Sequence, residues 1–278
     1  MNQQEQIKKQ MEKTAQGIKQ AMGQIKNRVV VFSGKGGVGK TTVAVNLAYA
    51  LANNKARVGL LDADITGPNV PQMVGITETA QVEAGRIIPH AAQGIKVISL
   101  ALIVPAGTPI IWRGPLRSKA IDQFLGEASW GELDFLIVDL PPGTGDEVLT
   151  ITQRTSPQMA IIVTTPQEVA LIDARRATNL AKKMEIERIG IVENMSGLIC
   201  PHCGGVIDLF GAGGGEREAK KLSLLFLGKI PIDPSVRVEA DAGRPIVLAN
   251  PEATSSQAFF AIATRIERAL KDAPKEAR

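Results

Sequence analysis

Ten residues near the start of the chain, Ser33-Gly34-Lys35-Gly36-Gly37-Val38-Gly39-Lys40-Thr41-Thr42, constrain its fold more than any other stretch. They fit G-x-x-x-x-G-K-[ST] through Gly34, Gly39, Lys40 and Thr41. Glycines let backbone N–H groups converge on phosphate oxygens without side-chain obstruction. Lys40 supplies charge at the β- and γ-phosphates, and the Thr41 hydroxyl ligates Mg²⁺. Gly36, Gly37 and Val38 complete the cradle, and the helix beginning near Thr42 adds the favourable field of its N-terminus. Gly34, Gly36 and Gly39 also spell G-x-G-x-x-G, and Asp62 ends the next strand roughly where a dinucleotide fold keeps its ribose carboxylate. Two features decide for a triphosphate. Lys40-Thr41-Thr42 serves a triphosphate–Mg²⁺ site and has no use in a dinucleotide site. A second carboxylate, Asp139, ends the apolar run 135–138 and precedes Pro141-Pro142-Gly143, where a metal-water ligand and a γ-phosphate-sensing loop belong.

The rest of the chain reads as a frame for that loop. Short apolar runs at 29–32, 57–61, 135–138, 159–164, 188–192 and 225–229 predict strands, with a less regular one near 95–102. Helical periodicity fills 42–52, 168–184 and 255–270. Apolar strands alternating with amphipathic helices indicate a mainly parallel central sheet covered by helices on both faces, a three-layer α/β nucleoside-triphosphatase fold. Without a linker or repeat inside 29–270, residues 28–272 read as one domain.

Residues 1–27 read as a basic helical or disordered tail, with apolar residues at Ile7, Met11, Ile18, Met22 and Ile25. Through Arg28 this end holds six basic residues against Glu5 and Glu12, which accounts for the whole formal charge of +4. The main domain is therefore neutral and offers no nucleic-acid groove. No apolar run is long enough for a membrane helix. The N-terminal composition fits neither a secretory nor an organelle signal, which predicts a reducing, cytoplasmic location with no membrane partner.

Cys200-Pro201-His202-Cys203 holds the only two cysteines of the 278 residues. Thioredoxin-fold oxidants place such a dithiol at a helix start, whereas Gly204-Gly205 here suits a loop. C-P-x-C-G is also the knuckle that presents two thiolates to one metal, and it normally needs a second pair. A two-fold homodimer supplies one by symmetry. Four thiolates suit Zn²⁺ or an iron–sulfur cluster about equally. His202 reads as an exposed turn residue, and His90 has no recognisable partner.

Beyond these readings, the extra lysine Lys35 makes the phosphate loop resemble the deviant Walker A motif of the MinD/ParA group. Within that group the chain resembles the Mrp/Nbp35/ApbC iron–sulfur carriers over roughly residues 28–270. The supporting stretches are 64–71, 112–115, 139–146, 165–171 and the cysteine knuckle. Asn69 stands where that family usually has Ser. The family's additional cysteine cluster and additional N-terminal domain are not seen in this sequence.

The resemblance implies a [4Fe–4S] cluster bridged by Cys200 and Cys203 of two subunits and delivered to apo iron–sulfur proteins. It implies that Lys35 reaches the partner's phosphates and that Asp64 orients the attacking water. Asp62 is placed on the Mg²⁺ side with Thr41 and Asp139, while Asn194, Pro231 and Asp233 contact the base of ATP. ATP hydrolysis would be slow and act as a switch. Three alternatives stay open: a positioning ATPase of the MinD/ParA type, a dimer bridged by structural zinc, and a reductase like the nitrogenase iron protein. A core-packing C-terminal helix weighs against the first, and the adjacency of the two cysteines against the last.

Overall fold

The computed structural model describes residues 3–64, 67–99, 102, 121–122, 124–200 and 202–272. The Trp112–Pro115 stretch, Ile65, Thr66 and Pro201 therefore lie outside the described residues. In chain order the elements begin with α1 (Gln3–Gly23), β1 (Ile25–Phe32), α2 (Lys40–Asn53), β2 (Val58–Asp62) and α3 (Val70–Val74). There follow β3 (Gln81–Glu83), β4 (Arg86–Ile88), β5 (His90–Ala92), β6 (Ile95–Ser99) and β7 (Leu133–Asp139). Next come α4 (Asp146–Thr155), β8 (Met159–Thr164), α5 (Glu168–Lys183), β9 (Arg188–Glu193), β10 (Leu198–Ile199) and β11 (Val206–Ile207). The chain closes with α6 (Gly214–Lys221), β12 (Leu225–Lys229), α7 (Pro234–Asp241), α8 (Ile246–Ala249) and α9 (Thr254–Lys271).

Eight strands form one sheet in the order β12-β9-β8-β1-β7-β2-β6-β5, parallel throughout except at the β5–β6 edge. Alternate residues of β1 serve opposite faces, as the two-residue period of a strand requires. Val29 and Val31 join one core with α2 and with Phe259, Ile262 and Ile266 of α9. Val30 and Phe32 join the other with Val148 and Ile151 of α4 and Ala174, Ala177 and Ala181 of α5. The mainly parallel three-layer architecture expected from the sequence is thus observed. The C-terminal helix is a core element, as its apolar stripe indicated.

The N-terminal end differs from its sequence reading in two respects. Ile18, Ala21 and Met22 of α1 are buried in the second core, and β1 begins at Ile25 rather than Val29. Polar residues hid this extension. Lys26 pairs with Asp134 at 2.7 Å, the Asn27 amide donates to the Asp134 carbonyl at 2.9 Å, and the Arg28 backbone N–H donates to Gln158 at 2.7 Å. The Arg28 guanidinium donates to the carbonyls of Met22 and Ile25 at 3.1 and 2.9 Å, tying the helix end to the strand. Burial lowers the guanidinium pKa from its ordinary value. Of the strand expected near 95–102, β6 covers Ile95–Ser99 while Leu100 and Ala101 lie outside the described residues, and its hairpin partner β5 was not legible because it spans only three residues.

The connection after β1 runs to β2 on one side of it, and that after its neighbour β7 runs to β8 on the other. In open parallel sheets the crevice at such a reversal, beyond the strand C-termini, is where ligands bind. The loops after β1, β2, β7, β9 and β12 all end at that edge. They carry the phosphate loop, Asp64, Pro141–Gly143, Asn194 and Pro231.

Candidate functional site

The phosphate loop turns tightly between β1 and α2. Gly39 sits in the left-handed region at φ 80°, a conformation glycine adopts without a Cβ penalty. Gly36 and Gly37 are exposed, and a Cβ on either would meet no atom within 4 Å. Their backbone is therefore open to an approaching anion. Lys35 is half-buried beside them.

Beneath the loop, Lys40 Nζ lies 2.6 Å from Asp139 Oδ1, and the Thr41 hydroxyl donates to Asp139 Oδ2 at 2.7 Å. Both members of the ion pair are buried. Burial raises the Asp139 pKa against the pull of Lys40. β2 and β7 are in register at Asp62 and Asp139, so the two carboxylates emerge side by side. Asp62 accepts hydrogen bonds from the Ser99 hydroxyl at 2.9 Å and the Asp64 backbone N–H at 3.2 Å. Its carboxyl is pushed up to about 7, first by burial and then by the charge of Asp139. Asp64 is nearly buried and accepts from the Gly67 N–H at 3.1 Å. A hydroxyl and two crowded carboxylates form an oxygen-only donor set that fits Mg²⁺.

A cleft of about 510 Å³ runs from Gly39, Thr41 and Thr42 toward Asn194, Pro231 and Asp233. The three residues assigned to base contact therefore share one cavity with the phosphate loop. The Asn194 amide also donates to the Val38 carbonyl at 2.9 Å, tying the end of β9 to the loop. Asp233 has a structural task as well. It caps α7 by accepting from the Ser235 N–H at 2.9 Å, and it accepts from the Ser255 hydroxyl at 2.6 Å.

The cysteines occupy the tip of the β10–β11 hairpin, where the Cys200 N–H donates to the Gly205 carbonyl and the Gly204 N–H to the Cys200 carbonyl, both at 2.9 Å. Gly204 has φ 70°, which the turn needs. Cys200 is half-buried, Cys203 is exposed, and neither is in a disulfide. Backbone N–H groups of Cys203 and His202, with the Cys203 thiol, lower the Cys200 thiol pKa below its ordinary value. His202 is exposed, as expected of a turn residue. Among the described residues no three metal-ligating side chains gather. Apolar side chains of Ile199, Val206 and Leu209 are exposed around the tip.

Two features escaped sequence reading. The Glu193 carboxylate, fully buried, accepts the N–H groups of Gly213 and Gly215 and the Ser196 hydroxyl. It caps the first turn of α6, where a negative charge is favoured. The glycine-rich run 211–215, which reads as a mobile loop entering a helix, is thereby held at its helix end. Phe210, from the segment between the hairpin and α6, lines the nucleotide-sized cleft. A carboxylate directly before Asn194 was visible in the sequence, but its glycine partners lie some twenty residues away and no local pattern signals them.

No helix of the described residues is long and apolar enough to cross a membrane. Residues 24–267 match the family model ParA, described as NUBPL iron-transfer P-loop NTPase. An iron–sulfur cluster carrier protein of Pyrococcus abyssi is 52% identical over 270 residues, 92% of this chain and 91% of that one. The solved nucleotide-binding protein of Archaeoglobus fulgidus, in complex with ADP, is 38% identical with a TM-score of 0.76, over 88% of this chain and 96% of that one. The septum site-determining protein MinD of Pyrococcus horikoshii, complexed with Mg-ADP, shares the fold with a TM-score of 0.65 at 23% identity, over 88% and 97% of the two chains. Together with the phosphate loop, the paired carboxylates and the cysteine hairpin, these likenesses establish that the chain belongs to the iron–sulfur cluster carrier family of P-loop NTPases.

Proposed function

We propose that the protein is an ATP-dependent carrier that holds a [4Fe–4S] cluster between two copies of itself and passes it to apo-proteins in a reducing cytoplasm. The observation that carries this reading is the cysteine hairpin: two thiols on an accessible tip, ringed by exposed Ile199, Val206 and Leu209, with no third ligand among the described residues. Two thiolates leave a tetrahedral metal or a cluster half-ligated, and a second hairpin related by two-fold symmetry completes the set. The exposed apolar residues supply surface for that contact. A tip site also suits a cargo that must be released to another protein.

ATP occupies the 510 Å³ cleft, with its base toward Asn194, Pro231 and Asp233 and its phosphates on the Gly34–Thr42 loop. Lys40 exchanges part of its pairing with Asp139 for the β- and γ-phosphates. Thr41, Asp139 and Asp62 hold Mg²⁺, which supplies charge neutralisation of the phosphates. Lys35 acts across the dimer on the partner's nucleotide, and Asp64 orients water for a slow hydrolysis that serves as a switch. Relief of the Asp62–Asp139 repulsion gives the cation a favourable interaction that the protein has already prepared.

Anaerobic reconstitution with iron and sulfide, followed by metal analysis, tests the reading. It expects about four iron and four sulfide per two chains, lost in Cys200→Ser and in Cys203→Ser while ATP binding persists. A cluster held in full by a single chain, or stoichiometric zinc that iron does not displace, would refute it.

A further inference from the structure

We propose that Phe210 is a base-contacting residue of the nucleotide cleft, carried there by the cysteine segment, so that one side chain belongs to both sites. This rests on the cleft being the nucleotide site.

The cleft has two chemical ends. Gly39, Thr41 and Thr42 are suited to phosphate, whereas Met195, Ile230 and Pro231 offer apolar surface. Phe210 lines the same cavity and has no polar atom with which to serve phosphate. A flat base presents a face to which an aromatic ring adds both apolar area and stacking. Phe210 is 38% exposed, so part of its ring is open to a ligand in the cleft. Its neighbours fix where it stands. Asp208–Gly211 forms a turn, with the Gly211 N–H directed at the Asp208 carbonyl at 3.5 Å and Gly211 at φ 82°.

The segment is held at both ends by residues that matter elsewhere. Upstream, Val206 and Ile207 pair with Ile199 and Leu198, the strand that leads directly into Cys200. Downstream, the Glu193 carboxylate grips the Gly213 and Gly215 N–H groups. Glu193 is also joined to Asn194, which donates to the Val38 carbonyl in the phosphate loop. With the downstream end anchored, a base that displaces or orders Phe210 moves the short upstream stretch, and the cysteine hairpin with it. Nucleotide occupancy is thus read by the cysteines within one chain, before any rearrangement between subunits.

Binding of ADP and of inorganic tripolyphosphate to the full chain separates the base from the phosphates. Alkylation rates of Cys200 and Cys203 with iodoacetamide, with and without saturating ADP, report on the hairpin. Phe210→Ala should weaken ADP by about five- to a hundredfold, the scale of a lost base–aromatic contact, and leave tripolyphosphate unchanged. Phe210→Trp should retain ADP affinity. In the wild type ADP should change the alkylation rates, and in Phe210→Ala that change should vanish even at saturation. Unchanged ADP affinity in Phe210→Ala overturns the assignment, as does equal weakening of both ligands or an ADP effect on the thiols that survives the substitution. A wild-type chain that binds neither ligand overturns the nucleotide reading itself.

Discussion

Replacing single glycines of the phosphate loop by alanine should separate those the fold requires from those the ligand requires. A Cβ on Gly34 would lie 2.1 Å from the backbone oxygen of Asp173 in α5 and 2.3 Å from its carbonyl carbon. Ordinary carbon contacts begin more than an ångström farther out, and here the obstacle is helix backbone rather than a flexible side-chain end. The loop or the helix must move. Overpacking of this kind costs about 1–3 kcal/mol, which for a domain of this size lowers Tm by about 2–5 °C. A Cβ on Gly36 meets nothing within 4 Å, and Gly36 does not have a left-handed φ. Gly36→Ala should leave Tm unchanged, or raise it slightly through the less flexible unfolded chain. Its methyl group would instead intrude on the phosphate cradle, so ATP affinity should fall by about tenfold or more, the weight of one or two lost backbone hydrogen bonds to a charged group. Thermal unfolding without nucleotide and calorimetric titration with ATP read the two effects separately. Equal Tm losses in both variants would refute the close-approach argument, and wild-type ATP affinity in Gly36→Ala would refute the cradle.

Lys40→Ala should abolish ATP binding, whereas Lys35→Ala should retain binding and lose hydrolysis; equal losses of affinity would remove the cross-dimer role. Ile18→Ala should destabilise the whole domain by about 2–4 kcal/mol, as truncation of a buried side chain does, and a null effect in chemical denaturation would show that α1 stands apart from the core. Asp134, bonded to Arg57 and Lys26, has a pKa held well below the usual carboxylate range. A depressed folded-state pKa contributes stability present above the unfolded value and lost as the pH falls from there through the folded one. Asp134→Asn should therefore flatten the loss of stability below about pH 4, and an unchanged acid limb would count against the cluster.

How much of this was legible depends on the range over which each feature is encoded. The phosphate loop, Asp62, Asp139 and the cysteine pair are local: residue type and strand-end position suffice to find them. The apolar strands on either side of β1 were legible for the same reason, since burial on both faces leaves a continuous apolar run. The start of β1 was not, because Lys26, Asn27 and Arg28 satisfy their polar groups against Asp134, Gln158 and the end of α1, all distant or out of pattern. Glu193 likewise reads as one more polar residue until the fold brings Gly213 and Gly215 to its carboxylate. Asp233 shows the converse. The family resemblance implies a ligand contact for it, and the fold also gives its carboxylate the cap of α7.

The cysteine hairpin has a further consequence for hydrogen exchange. Its two strands contribute only two residues each, and among the described residues an isolated bridge joins Leu198 to Ile232, in the stretch that follows β12. Such a unit opens at a small fraction of the free energy that unfolds the sheet. Amides at 198–207 should exchange with solvent orders of magnitude sooner than those of β1 or β8, in a cooperative step of their own. The tip that presents the thiols is in this sense a separate foldon on a rigid body. It can be remoulded against another protein's surface while the eight-stranded sheet stays folded.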